Sequence, residues 1–450
     1  MLFKRVTFSL SFLLIGLLVL SACKDDGDVN PTATPNLDRA ALAQTAFANP
    51  TNTPRARFTP TPLPDVESEL ARTTSQMEIA IVAGDVEKYM ANVWQGDASF
   101  TTEQRRWAEA WAKQPPLSFD ITLSSISAPT EDESFARMSV AWRGSGEAMT
   151  SDLGSGGSTI TVHFYREAAG SSRWLFAGEA WQTISLHRNG SDWTADQTSD
   201  DSEKLRIYYL PDYGPISGTQ NAGDVLAEKL PGIYTVVSRE LQIEPTEVVS
   251  LKVYEYPDAL RSMVDITYLH ILTVWNQPGE ALRFSQDLNT ELPPEDEVIA
   301  GQLAYSFLYQ LAGNTTGNYP WWVFEGTAQM VMMKDFMTTP RRNNQLSAMA
   351  GIAAADATGA KLDPEIPQMQ DWAMMEDLAN VPFLQHYAAS LQAGTFIYFI
   401  DATYGQDQRN AWIKSMASEK TVDEACQDIL GKSFEDLTAD WLVWVATQTQ

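Results

Sequence analysis

The chain has 450 residues, 44% of them hydrophobic, with 58 acidic against 31 basic side chains and a formal net charge of −27. Such a surface repels nucleic acid and anionic headgroups, which excludes nucleic-acid function. There is enough apolar material for two cores, since single domains typically run to about 100–200 residues.

At the N-terminus, Lys4 and Arg5 precede the apolar run "VTFSLSFLLIGLLVL", and "LSAC" closes it at Cys23. Residues 1–23 therefore have the grammar of a secretory signal peptide. "LSAC" resembles the lipobox of bacterial lipoproteins. The resemblance implies acylation of Cys23, membrane lipid as a partner, and a location on the extracytoplasmic face of the cell membrane. Each buried acyl methylene contributes about 0.8 kcal/mol, so several chains anchor firmly. The alternative is an ordinary cleaved signal with a chance cysteine. Cys426 is the other cysteine, so no intrachain disulfide is expected in the mature chain and the fold rests on its core.

Residues 24–64 repeat Thr-Pro and Asn-Pro steps. Proline denies the backbone a donor and favours extended conformations, so this stretch is expected to be a disordered, semi-stiff linker. The short "LDRAALAQTAFA" within it is too short for a stable lone helix.

A first folded unit is expected over residues 65–189. Helical spacing of Leu70, Met77, Ile81 and Val82 follows a capping Asp65, with a break at Gly84. A second helix, "TTEQRRWAEAWAK", has Thr101 or Thr102 as its expected cap. The period then changes to two: "LSFDITLSSISAP", "FARMSVAWRG", "STITVHFYREA" and "RWLFAGEAWQTIS" alternate as half-buried antiparallel strands do. Helices followed by a bent meander predict an α+β class. This order resembles the nuclear-transport-factor-two-like or SnoaL-like cone, in which helices pack into the concave side of a curved sheet. Some members of that family are enzymes with an Asp or His in the cone; others only bind or dimerise. His163 is the one histidine in a strand pattern. No carboxylate partner is identifiable from spacing, so the unit reads as an accessory domain.

The polar join "RNGSDWTADQTSDDSEK" leads to a second unit over residues 205–450. Strand-like runs "LRIYYL", "YTVVSREL", "VVSLKVYEY" and "VDITYLHILTVWN" open it, and a helix over "AGDVLAEKLPGIYTVVSREL" competes with the second run. Helix then dominates. One helix starts at Asp296 after two prolines and ends at Gly313, and the next opens at Pro320 in "PWWVFEGTAQMVMMKDF". "FLQHYAASLQAGTFIYFIDATYG" and "TVDEACQDILGKSFEDLTADWLVWVATQ" follow.

A small sheet, a helix, a short loop, "WWVFEGTA" and a helical C-terminal half resemble the peptidase-MA-like domain of gluzincin metallopeptidases. In active relatives the first helix carries H-E-x-x-H. Its two histidines, four apart on one face, ligate zinc, and the glutamate between them activates water. A glutamate in a W-x-x-E-G context completes the ligand set. Here Gly301, Gln302 and Tyr305 fall where the motif belongs. Glu325 matches the third ligand, with nineteen residues between it and Tyr305. Tyr387, in "HYAAS", matches the tyrosine that stabilises the oxyanion in many gluzincins. Glycine offers no ligand atom, glutamine has no basicity, and a phenol with a reference pKa near 10 is a poor zinc ligand. One carboxylate does not hold zinc, because catalytic sites typically have three protein ligands. No two of His163, His187, His270 and His386 have helical ligand spacing.

The resemblance therefore implies a pseudoenzyme without catalytic residues, metal or cofactor. Its remaining cleft would be lined by Trp321, Trp322 and Glu325 and would bind a peptide or protein in a binding or scaffolding role at the cell envelope. Gln302 and Tyr305 are otherwise plain helix residues, and the dense apolar face of "WWVFEGTAQMVMMKDFM" is otherwise core. A mid-helix glycine costs about 1 kcal/mol against alanine, so Gly301 implies that something fills its space or that selection there has relaxed. Tyr305 reaching over Gly301 to Glu325, as a hydrogen bond replacing the metal, would account for it. Two alternatives stand: an active zinc peptidase with atypical ligands such as His386 with Glu325, and small-molecule binding or catalysis in the cone.

Overall fold

The computed structural model describes residues 66–144, 155–169, 171–210, 222–254, 260, 263–264, 274–285, 295–314, 319–357, 383–417 and 420–448. Cys23, the linker, Asp65 and His270 lie outside the described residues. The protein is α+β, with helices and two sheets. No helix among the described residues is long and apolar enough to cross a membrane.

Helices α1 (Val66–Val82), α2 (Val86–Met90) and α3 (Ala98–Lys113) come first. The break between α1 and α2 is at Gly84, whose φ of +64° favours glycine. Asp97, rather than Thr101 or Thr102, caps α3 by accepting from the Phe100 amide at 2.8 Å. The helix thus starts a turn earlier than the threonines suggest.

Strands β1 (Ser118–Ser127), β2 (Glu133–Arg143), β3 (Ser155–Arg166) and β4 (Trp174–Glu179) form an antiparallel sheet in that order. Its inner face packs Ala136, Met138, Ile160, Val162, Phe164, Trp174 and Phe176 against Leu70, Met77, Ile81 and Trp111 of the helices. That alternation is the period-two pattern of a half-buried sheet.

The run "RWLFAGEAWQTIS" is two strands, not one. β4 ends at Glu179, and β5 (Gln182–Asn189) joins a second sheet. The boundary between sheets thus lies at Ala180–Trp181, ahead of Asn189. The polar join is itself part of this sheet: β6 (Asp192–Asp196) forms a hairpin with β5, and β7 (Glu203–Tyr209) lies on β5's other side. His187, buried in β5, holds the β6–β7 connection through Asp196 (3.1 Å), Asp200 (3.1 Å) and Ser202 (3.1 Å).

Helix α4 (Ala222–Leu241) absorbs "YTVVSREL" and crosses over to β8 (Val249–Tyr254), which lies parallel to β7. Within "VDITYLHILTVWN" the described strand is β9 (Val274–Trp275), paired with β10 (Leu282–Ser285). The order is β6-β5-β7-β8-β10-β9. Leu251, Val253, Leu282 and Phe284 face the helical core of the C-terminal half. Lys252, Tyr254 and Arg283, on the opposite face, are buried as well.

That second face closes the cone. Tyr254, Leu260, Met263 and Val264 belong to the same apolar cluster as the first sheet and its helices. A space of about 120 Å³ remains between Phe100, Ala177 and Glu179 on one side and Ser250, Lys252 and Ala281 on the other.

The C-terminal half consists of α5 (Asp296–Leu311), α6 (Trp321–Val331) continued by a π-turn (Met332–Phe336), α7 (Thr339–Ala357), α8 (Phe383–Tyr404), α9 (Gln406–Ala417), α10 (Val422–Ala425) with a second π-turn (Cys426–Leu430), and α11 (Phe434–Thr447). Pro320 caps α6 from outside, one residue before its first turn.

Candidate functional site

Helix α5 is buried on nearly every side. Glu297, Gly301 and Tyr305, spaced by four, share one of its faces. Helix α6 packs beside it and brings Glu325 to the phenol: Tyr305 donates to Glu325 Oε2 at 2.5 Å. Gln329, one turn along α6, donates to Oε1 at 3.0 Å. Both oxygens of the expected third ligand are therefore engaged by neighbours in the chain.

Gly301 has a simple steric cause. A Cβ there would lie 2.7 Å from the sulfur of Met332, the first residue of the π-turn. Methionine is flexible enough to fill an irregular gap of this kind. The space is thus filled by Met332, and the Tyr305 hydrogen bond stands beside it rather than over the glycine.

The glycine of "WWVFEGTA" also has a packing cause. A Cβ on Gly326 would sit 2.6 Å from the Ala393 carbonyl oxygen, and one on Gly394 would sit 2.6 Å from Gln329 Cβ. Paired glycines therefore let α6 and α8 approach closely, which fixes the turn that carries Glu325 and Gln329.

The other expected residues are distributed differently. Trp322 is 2% exposed and stacks against Phe434 at 5.4 Å and Trp412 at 6.3 Å. It is core and does not line a cleft. Trp321 is half-buried with its ring 5.5 Å from that of His386. Gln302 is half-buried, and its backbone carbonyl accepts from Asn276 at 3.0 Å. Tyr387 is 39% exposed, and burial pushes its hydroxyl pKa up against the pull of Arg341. His163 is on the sheet face away from the helices, 2.8 Å from Glu133.

Among the described residues, no group of three or more His, Cys, Asp or Glu side chains could hold a metal ion. The one carboxylate at the motif already accepts from a phenol and an amide, and a thioether fills the adjacent volume. Sequence reasoning missed Gln329, Met332 and Glu297. The i, i+4 step from Glu325 marks Gln329, whereas nothing local marks Met332. Glu297 is buried, which pushes its carboxyl up to about 7 against the pull of Arg341 at 2.6 Å.

Replacing Tyr305 with phenylalanine keeps the ring and removes the donor. A hydrogen bond to a charged group contributes about 1.5–3 kcal/mol, and Glu325 is partly solvated, so a loss at the lower end is expected in urea denaturation. No loss would mean that water replaces the phenol without penalty.

No protein-family model matches the chain, and no curated protein matches it. Among solved structures it is similar to an NTF-2 like protein of unknown function from Shewanella oneidensis MR-1. That likeness has 11% identity and a TM-score of 0.21, and covers 25% of this chain and 93% of that one.

Proposed function

We propose that this chain is a lipid-anchored binding or scaffolding protein of the cell envelope, with a C-terminal half that keeps a gluzincin layout without its metal. The observation that carries the reading is the 2.5 Å hydrogen bond from Tyr305 to Glu325. A carboxylate that the gluzincin resemblance would make a zinc ligand serves here as an acceptor between two helices. Gln329 and Met332 support the same reading, because they take the second oxygen and the neighbouring volume. Without an imidazole pair or a basic glutamate, no group at the motif holds or activates a water. The anchor rests on the signal grammar of residues 1–23 and on Cys23. Trp321 remains partly exposed for a peptide or protein partner.

Metal analysis of untagged protein tests this reading. Less than stoichiometric zinc is expected. One zinc per chain, lost in Glu325→Gln, would identify a working site with atypical ligands. Gly301→His, Gln302→Glu and Tyr305→His restore the motif's residue types, and Met332→Ala frees the volume beside position 301 that the methionine side chain otherwise has to leave. The fourfold variant is expected to bind zinc, and failure of a folded variant to do so would separate α5 and α6 from gluzincin geometry.

A further inference from the structure

We propose that His187 is a pH-operated latch on the β6–β7 connection, closed when the imidazole carries two protons and released when it carries one. The ring is buried on β5, with Thr194 of β6 and Glu203 of β7 opposite it in the two ladders. Its nitrogens face carboxylates from two different residues. Nε2 lies 3.1 Å from Asp196 Oδ1, at the end of β6, and Nδ1 lies 3.1 Å from Asp200 Oδ1, within the connection.

A carboxylate only accepts, so each contact needs a hydrogen on the ring nitrogen. A neutral imidazole has one such hydrogen and an imidazolium has two. Either neutral tautomer therefore turns a lone pair toward one of the acids. Ser202 does not relieve the mismatch. Its hydroxyl is 3.1 Å from Nδ1 but donates to Asp200 Oδ1 at 2.6 Å. Turning that hydrogen to the ring would take a donor from Asp200 and leave its oxygen against the Nδ1 lone pair. Only the imidazolium satisfies both acids at once.

Each acid is also oriented by its own turn. Asp196 Oδ1 accepts from the Thr198 amide and hydroxyl, each at 2.7 Å, and Asp200 Oδ1 accepts from the Ser202 amide at 2.7 Å. Hydrogen bonds from the Thr198 and Ser202 side chains, then from their amides, hold the two carboxyls below the ordinary range. Both acids thus stay anionic between about pH 5 and 8, where an imidazole changes charge. The other charges nearby do not change in that window. Burial raises the Glu203 carboxyl, but hydrogen bonds from Arg206, Ser185 and Ser199 outweigh it and hold it below the ordinary range. Arg206 pairs with Glu203 at 2.5 Å, Asp201 is exposed, and Arg188 and Lys204 face Glu244. Acidification therefore adds one hydrogen-bonded ion pair to the connection, and a rise in pH removes it. Asp196 and Asp200 are half-exposed, so the step is modest. It governs the turns from Asp196 to Ser202, while the contacts of Ser199 with Glu203 and Arg206 hold at either pH.

This inference does not depend on the Glu325 site. Millisecond hydrogen exchange of the full chain tests it, read by mass spectrometry on peptides covering residues 196–204 and corrected for intrinsic exchange rates. Amides of the connection are expected to exchange about threefold more slowly at about pH 5.5 than at about pH 7.5, the ratio that an exposed ion pair supplies. His187→Gln, which stays neutral across the window, should remove the difference. Asp200→Asn offers the neutral ring a donor at an exposed position, so it should shrink the difference, and it serves if the first variant does not fold. The proposal is overturned if corrected exchange is the same at both pH values or slower at the higher one. It is overturned equally if the pH dependence survives unchanged in His187→Gln or, where that variant does not fold, in Asp200→Asn.

Discussion

Arg409→Ala should lower stability by about 3–5 kcal/mol, the range seen when one partner of a buried ion pair is removed. The guanidinium is fully buried and donates to Glu240 Oε1 (2.9 Å), Asp401 Oδ1 (2.5 Å) and Asn410 Oδ1 (2.9 Å), and also to the Glu240 carbonyl. Lys334 reaches the same carboxylates at 2.6 and 2.9 Å from a more exposed position. Four elements of the C-terminal half, α4, the first π-turn, α8 and α9, therefore meet on one charge cluster. With alanine at 409, Lys334 still faces both acids and Asn410 and Gln406 still donate to the Glu240 carbonyl at 3.0 and 2.9 Å, but half of the anionic charge loses its partner. Lys334→Ala should cost less, since its ammonium is partly solvated. Urea denaturation of both variants checks the order. A loss below about 1 kcal/mol for Arg409→Ala would mean that water enters and replaces it.

Glu240 gives this cluster a pH signature. Burial raises its carboxyl pKa, but hydrogen bonds from Lys334 and Arg409 outweigh burial and hold it below the usual range. A depressed carboxylate contributes stability above its unfolded value, near 4.5, and that contribution fades as pH falls through the folded value. The acid limb of the wild-type stability curve should therefore be steep below pH 4.5 and become shallower in Arg409→Ala.

Elements with local punctuation were the most legible in the sequence. Helix α5 runs from Asp296 and stops before Gly313 because two prolines precede it and a left-handed glycine follows it. The strands of the first sheet follow their alternation. Where β4 gives way to β5, alternation continues through a change of sheet, so the pattern carries no mark of the break. Arg283 and Lys252 sit at alternate positions that read as solvent-facing and are instead buried between two apolar clusters. Within the candidate site, the Tyr305–Glu325 pairing was legible because both positions belong to a spaced motif. The sulfur of Met332 was not, since its place over Gly301 depends on a π-turn and on how two helices pack. Trp322 illustrates the opposite limit: composition alone does not separate a sticky face from a core one.

Glu103→Ala is expected to have a comparable effect by a different route, because Glu103 ties helix α3 to the second sheet. It lies on α3, is 3% exposed, and accepts from Lys252, from Arg283 at 2.9 Å and from the Ala281 amide at 3.1 Å. Removing it leaves two buried cations, of which, among the described residues, only Arg283 has another acid within ion-pair distance, Glu280 at 3.6 Å. An uncompensated buried charge again implies a loss of about 3–5 kcal/mol. Burial pushes the Glu103 carboxyl up, yet Arg283 and Lys252 together outweigh it and hold it below the usual range. Its contribution is thus complete above the unfolded value near 4.5 and falls away as pH drops through the folded one. Glu103→Gln keeps the shape and one acceptor while removing the charge, so it should destabilise at pH 7 and flatten the acid limb. The cycle of Glu103→Ala with Lys252→Met isolates the pair: the double variant should be less destabilised than the sum of the singles, because each single leaves a charge that the double does not. Strict additivity in that cycle would show that water, rather than the lysine, neutralises Glu103 at the mouth of the cone.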